Sequence, residues 1–144
     1  MAISNLKSGC GALIYCTKTY RYLFLLRNNG KYPNTWGLVG GKVENGETVF
    51  EGLHREIKEE LGGQINGAKI IPIEKYTSDN GNFTYQTYLI KVDEEFVPDL
   101  NNEHKGYCWV PLTDYPKPLH PGVHRTIRFQ SNQDKIKILE KIKD

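Results

Sequence analysis

Cysteine is scarce in this chain of 144 residues, with only Cys10, Cys16 and Cys108 present and no C-x-x-C pair. Three thiols cannot build a disulfide framework. If Cys10 and Cys16 share one extended strand they lie about 20 Å apart at ~3.3 Å per residue, too far to bridge. Both read instead as small buried hydrophobes of a reducing compartment. A structural zinc is excluded too, because four clustered Cys/His ligands are lacking. Long apolar runs are also missing, since Leu23-Phe24-Leu25-Leu26 falls far short of a bilayer span. No basic segment followed by an apolar one stands at Met1, so a secretory signal is not expected. The localisation expected from these absences is cytoplasmic, with no membrane partner.

An excess of charge of one sign is lacking as well, with 19 Lys+Arg against 17 Asp+Glu. Pro121 to Asp144 carries six Lys/Arg against three Asp/Glu, too mixed for a surface that tracks phosphates, so nucleic acid is not an expected partner. What is there is a hydrophobic content of 38 % with 11 % aromatics, enough to exclude disorder. No repeat, low-complexity tract or linker interrupts it, so residues 1–144 are expected to form one domain.

Gly11 to Thr17 reads as a buried strand and Tyr22 to Leu26 as its partner across a short turn at Lys18-Thr19. Turn residues fill Asn28 to Asn34, and glycine-rich Trp36 to Gly41 suggests a short strand whose backbone approaches something closely. Thr48 and Glu51 have the spacing of a capping box, and Gly62-Gly63 supplies a stop, which frames a helix from Val49 to Leu61. Phe50, Leu53, Ile57 and Leu61 fall on its apolar stripe at about 100° per residue. Ala68 to Ile73, leading on to Tyr76, and Tyr85 to Val92 read as strands joined by the hairpin signal Ser78 to Asn82. A further strand is expected over Gly106 to Val110. Helices are expected from Pro121 to about Phe129 and from Ser131, with Asp134 as a cap-like partner, to Ile142. Strands on both sides of a central helix, with helices at the end, imply an α/β fold with a mixed sheet between helical layers.

Glu56, Glu59 and Glu60 are spaced i, i+3, i+4 and emerge on neighbouring positions of the central helix. Glu60 sits about 20° from Leu53 on the wheel, at the edge of the apolar stripe, where a carboxylate is poorly hydrated and needs a partner. Carboxylates so grouped suit a hard divalent cation. A solvated Glu-rich helix face is the competing reading, and on this observation alone the two stay open.

The wider pattern separates them. From Gly41 the sequence runs G-K-V-E-N-G-E-T-V-F-E-G-L-H-R-E-I-K-E-E-L-G. It resembles the Nudix box, G-x5-E-x7-R-E-U-x-E-E-x-G-U with U aliphatic, through Gly41, Glu47, Arg55, Glu56, Ile57, Glu59, Glu60 and Gly62. A chance match in one window is on the order of one in a billion at average residue usage. Trp36-Gly-Leu-Val-Gly-Gly41 is similar to the family's approach to the box. Asn102-Glu103-His104 with Tyr107-x-Trp109 is similar to a late strand of its members, and Leu119 to Val123 to a late helix. Val39 stands where the family commonly has proline, with an expected effect on loop rigidity and a bearing on substrate choice. Gly63 stands where the last aliphatic residue belongs.

The resemblance implies the Nudix fold and a hydrolase of phosphoanhydrides, in which divalent cations neutralise the repelling oxygens and activate a water. Mg²⁺ is the implied cofactor, with Mn²⁺ a substitute. The metal ligands implied are Glu56, Glu59 and Glu60, with the Gly41 carbonyl in addition. Glu59 or Glu56 would take a proton from water, and Arg55 and Glu47 would orient the ligands from behind. Glu103, in the loop before the Trp-bearing strand, is a candidate for a further ligand or general base, against the alternative of an exposed loop acid. Arg27 and Lys42 could grip phosphate. Trp36, Tyr85 or Phe83 could stack on a base, although such aromatics are commonly core. His120 is a candidate for phosphate contact or acid–base work, and His124 reads as a helix-surface residue. The expected partner is a small nucleotide, and a homodimer is left open. A nucleoside diphosphate linked to another group leads as substrate, then nucleoside triphosphates, with capped RNA third. A binding module without turnover is disfavoured because every acid of the box is present.

Overall fold

The computed structural model describes residues 6–62, 65 and 68–142. Gly63 lies outside them, so the expectation attached to it has no structural counterpart. Among the described residues seven strands and three α-helices run β1 (Lys7–Cys16), β2 (Arg21–Arg27), β3 (Trp36–Gly37), β4 (Val39–Lys42), α1 (Val49–Leu61), β5 (Ile70–Thr77), β6 (Phe83–Val92), β7 (His104–Val110), α2 (Pro121–Arg128) and α3 (Gln130–Lys141).

β1 is the axis of the sheet. It pairs in parallel with β6 along its whole length, from Lys7↔Phe83 to Cys16↔Val92. Its other edge is divided. The first half pairs antiparallel with β4, and only Tyr15 and Cys16 pair with β2. β2 then diverges from β1 to pair with β7 on one side and β3 on the other. This split between β1 and β2 admits the two short strands, and with them the Gly40–Gly41 backbone.

Both faces of β1 are covered, which accounts for its nearly continuous apolar run. Ala12, Ile14 and Cys16 join Leu53 and Leu61 of α1 in one core, with Leu23, Leu25, Tyr88, Ile90 and Trp109. Leu13 and Tyr15 turn the other way and pack with Val123 and Ile127 of α2 and Ile136 of α3. The sheet is therefore mixed and lies between helical layers. Burying a Leu or Ile side chain contributes about 2 kcal/mol, so each face has ample apolar area to anchor its helices. Among the described residues no helix is long and apolar enough to cross a membrane.

The helix framed from the sequence has the same bounds in the structure. Thr48 accepts from the Glu51 amide and Glu51 accepts from the Thr48 amide, completing the capping box. Leu53, Ile57 and Leu61 of the expected stripe pack inward, and Phe50 does not. Phe50 is 49 % exposed, its ring set edge-on to His54, while Glu56 and Glu60 are buried beside Gly52, Leu53 and Leu61. The cause lies across the contact. α1 rests on β4, whose Gly40 and Gly41 leave a hollow that admits carboxylates rather than rings.

Several boundaries shift. β7 begins at His104 rather than Gly106, and β6 at Phe83 rather than Tyr85. β5 begins at Ile70, leaving Ala68 outside it, and runs to Thr77 with a bulge between Pro72 and Glu74. α3 starts at Gln130, and its N-cap is Phe129, without a side-chain cap, rather than Ser131. The α2–α3 corner is fixed by the buried Asn132, whose amide donates to the Thr126 carbonyl (2.9 Å), so tertiary contact sets that start. Val39 is fully buried in the core under α1 and pairs with Ala12, where its β-branched side chain packs inside.

Candidate metal centre and active site

Three carboxylates converge where α1 meets β4 and the loop before β7. Oxygens of Glu56, Glu60 and Glu103 all lie within 4.8 Å of one another, the first two buried and the third exposed. At or inside that separation each pair of like charges repels by at least about 3.5 kcal/mol at an effective dielectric near 20. Such a trio persists only with protons or a cation among its members. Burial pushes the Glu60 carboxyl up to about 9 despite a 2.8 Å hydrogen bond from the Gly40 amide, with Glu56 and Glu103 adding to the rise. Burial likewise pushes Glu56 up to about 7, opposed by the Arg55 charge and reinforced by Glu59 and Glu103. A bound divalent cation inverts this logic by favouring the charged forms.

Three features fit such a cation. The donors are all carboxylate oxygens, the chemistry preferred by hard divalent ions. A side chain at Gly41 would strike the Glu56 carboxylate, so the glycine keeps that oxygen free to turn into the site. His104, for which the sequence carries no signal of its own, is buried, and its Nδ1 has no hydrogen-bond partner among the described residues while lying 3.5 Å from Glu60 Oε2. Burial holds its imidazole below its ordinary value. A buried orphan of this kind signals a polar centre left incomplete by the protein groups alone.

Arg55 organises the outer side. Its Nε donates to Glu47 Oε2 (2.7 Å), Nη2 to Glu47 Oε1 (3.1 Å) and to the Lys42 carbonyl (2.8 Å), and Nη1 to Glu59 Oε1 (3.1 Å). Nη1 also lies 3.5 Å from Glu56 Oε2. One planar fork therefore ties β4, the turn before α1 and the helix face, a task that a lysine's point charge cannot perform. This hydrogen bonding holds the Glu47 carboxyl below its ordinary range. Glu59 stands apart from the converging trio, half exposed and engaged by Arg55.

The remaining candidates disperse. Arg27 pairs with His104 across β2 and β7, and its Nε and Nη2 donate to the Lys31 carbonyl (3.2 and 2.7 Å) at the rim. Lys42 is exposed. Trp36 packs against the core on the α2 side, with its backbone bonded to Pro118 and His120. Tyr85 lies over Gly9 and Gly11, where a side chain at Gly11 would strike its hydroxyl, and Phe83 stacks beside it at 6.4 Å. Burial pushes the Tyr85 phenol up, with Glu60 and Glu56 adding to the effect. His120 caps α2 by accepting from the Gly122 amide (3.0 Å), and His124 is exposed on that helix.

The NUDIX domain family model matches residues 6–129. The chain belongs to the Nudix family. It is 32 % identical over 114 residues to the nucleoside triphosphatase NudI of Escherichia coli O139:H28, an alignment covering 72 % of this chain and 81 % of that protein. The crystal structure of a MutT Nudix hydrolase from Burkholderia pseudomallei superposes with a TM-score of 0.66 at 28 % identity, covering 88 % of this chain and 95 % of the other. The Nudix domain of Shewanella oneidensis NrtR, solved with ADP ribose, gives 0.72 at 16 % identity over 94 % of this chain and 90 % of that one, a likeness of fold alone. A Nudix hydrolase reading thus meets a structure whose box residues Gly41, Glu47, Arg55, Glu56 and Glu60 lie around one acidic hollow.

Proposed function

We propose that this chain hydrolyses a phosphoanhydride bond of nucleoside triphosphates, releasing pyrophosphate and a nucleoside monophosphate, with Mg²⁺ as cofactor and Mn²⁺ as a substitute. The convergence of Glu56, Glu60 and Glu103 beside the Gly40–Gly41 backbone carries the reading, and the triphosphatase relatives direct it to that substrate class. Nucleoside diphosphates linked to another group, first by the family resemblance alone, move to second place for that reason.

Glu56, Glu60 and Glu103 would hold the cation, with the Gly41 carbonyl in addition, while Glu59 stays outside that trio on Arg55. When bound, the cation supplies charge neutralisation of the phosphate oxygens and a more acidic water. The protein's own contribution is placement and proton transfer. The Gly40 amide fixes the Glu60 carboxylate at one oxygen. Arg55, held by Glu47, restrains Glu59 on the helix face. Glu103, exposed at the rim, or the half-exposed Glu59 would accept the proton of the attacking water, since both can exchange it with solvent. Arg27 and Lys42 at the rim would draw in the polyphosphate. Tyr85, Phe83 and Trp36 are the aromatic candidates for the base.

A panel of canonical nucleoside triphosphates, ADP-ribose, dinucleoside polyphosphates, nucleotide sugars and capped RNA, run with Mg²⁺ or Mn²⁺ and resolved by chromatography, tests this. Pyrophosphate from triphosphates is the expected product. Turnover confined to diphosphate-linked compounds would overturn the substrate assignment, and tight binding without any product would overturn the enzymatic one.

A further inference from the structure

The three clustered carboxylates come from two separate stretches of chain, Glu56 and Glu60 on α1 and Glu103 on the loop that precedes β7. Like charges drive such stretches apart, so their approach needs a tie between the two stretches. Asn101 provides one with both ends of its amide. Its Nδ2 donates to the backbone carbonyl of Glu59 (3.3 Å), in the last turn of α1 where carbonyls run out of helical donors, and reaches Glu103 Oε1 (3.4 Å). Its Oδ1 accepts from the Glu103 amide (2.9 Å). On the far side of the loop the Asn28 amide donates to the Glu103 carbonyl (2.9 Å) and the Asn28 side chain to the Asn102 carbonyl (3.0 Å). Glu103 is exposed, yet both its backbone and one carboxylate oxygen are held.

We infer that Asn101 is a positioning residue that sets the spacing between Glu103 and the helix carboxylates, and through that spacing the affinity for the divalent cation. The inference rests on reading the cluster as a metal centre. A neutral amide suits this place for a chemical reason. It donates to a carboxylate and to a carbonyl while accepting from an amide, and it adds no fourth negative charge beside three others.

The test measures Mn²⁺ binding without substrate, by the electron paramagnetic resonance signal of free Mn²⁺, on folded proteins checked by circular dichroism. Asn101→Ala is expected to weaken binding by about 10- to 100-fold, the range for groups that orient metal ligands. Asn101→Ser, which keeps an oxygen for the Glu103 amide but cannot reach Glu59, is expected to weaken it too and to keep the loop folded if alanine does not. In a Glu103→Gln background the same Asn101→Ala change is expected to move the dissociation constant by less than about twofold, because its route through Glu103 is gone. Wild-type binding by both Asn101 variants, or an equal loss with and without Glu103→Gln, would overturn the positioning role alone. Identical Mn²⁺ titrations of wild type and Glu60→Gln would instead remove the metal centre, and the inference with it.

Discussion

Replacing Glu60 by Gln should stabilise the metal-free protein while abolishing its response to metal. In the fold the Glu60 carboxyl is pushed up to about 9 by burial, against an ordinary 4.5. A raised folded value means that this group's contribution to stability is complete below about pH 4.5 and is lost as pH rises through about 9. Each pH unit in that window costs about 1.4 kcal/mol, so the loss reaches about 2 kcal/mol near pH 6 and about 5 kcal/mol near pH 8. Glu56, raised to about 7, adds a smaller loss of the same sign. Gln keeps the acceptor for the Gly40 amide and can place an N–H opposite His104 Nδ1. Urea denaturation with chelator should therefore show Glu60→Gln more stable than wild type, by a margin that widens by about 3 kcal/mol between pH 6 and pH 8. Adding Mg²⁺ at about 100 times its dissociation constant should restore roughly 2.7 kcal/mol to wild type and little to the variant. A margin that does not grow with pH, or an equal Mg²⁺ response in both proteins, would refute the argument.

Arg55→Lys should retain the circular dichroism spectrum of the fold but lose about 10- to 100-fold in activity, because one ammonium cannot span Glu47, Glu59 and the Lys42 carbonyl. Near-native turnover would show that the fork is dispensable. Gly41→Ala should drive its new methyl into the Glu56 carboxylate and abolish the melting-temperature rise with Mg²⁺; an unchanged rise would place the cation elsewhere. Thr48→Ala breaks the capping box at the end of α1 remote from Glu59 and Glu60 and should cost about 1 kcal/mol by urea denaturation with Mn²⁺ affinity unaltered. A loss of affinity there would mean that the helix moves as a unit with its cap.

The most legible parts of the molecule were those with local causes. The bounds of α1 follow from Thr48, Glu51 and Gly62, which satisfy backbone groups within a turn of themselves. The hairpin between β5 and β6 follows from Ser78, Asn80 and Gly81, bonded to one another in the turn. The box spacing pointed to Glu56, Glu60, Arg55 and Glu47 because one helix and its preceding turn carry them all. The inward face of α1 was legible at Leu53, Ile57 and Leu61 but not at Phe50, since the glycine hollow of β4 admits Glu56 and Glu60 and leaves Phe50 outside. His104 had no signal beyond its place after Glu103.

Sequence alone determined that a helix capped by Thr48 would carry an acid-rich face of hydrolase spacing, because capping and helical periodicity act over a few residues. Only the tertiary structure decided which acids meet. Glu103 is 43 positions from Glu60 in the chain, and they converge because β7 pairs with the diverging β2 and ends its loop over the last turn of α1. The same packing turned Glu59 outward to Arg55 and left His104 facing Glu60. Long-range strand pairing and burial place those groups, and no window of neighbouring residues contains that information.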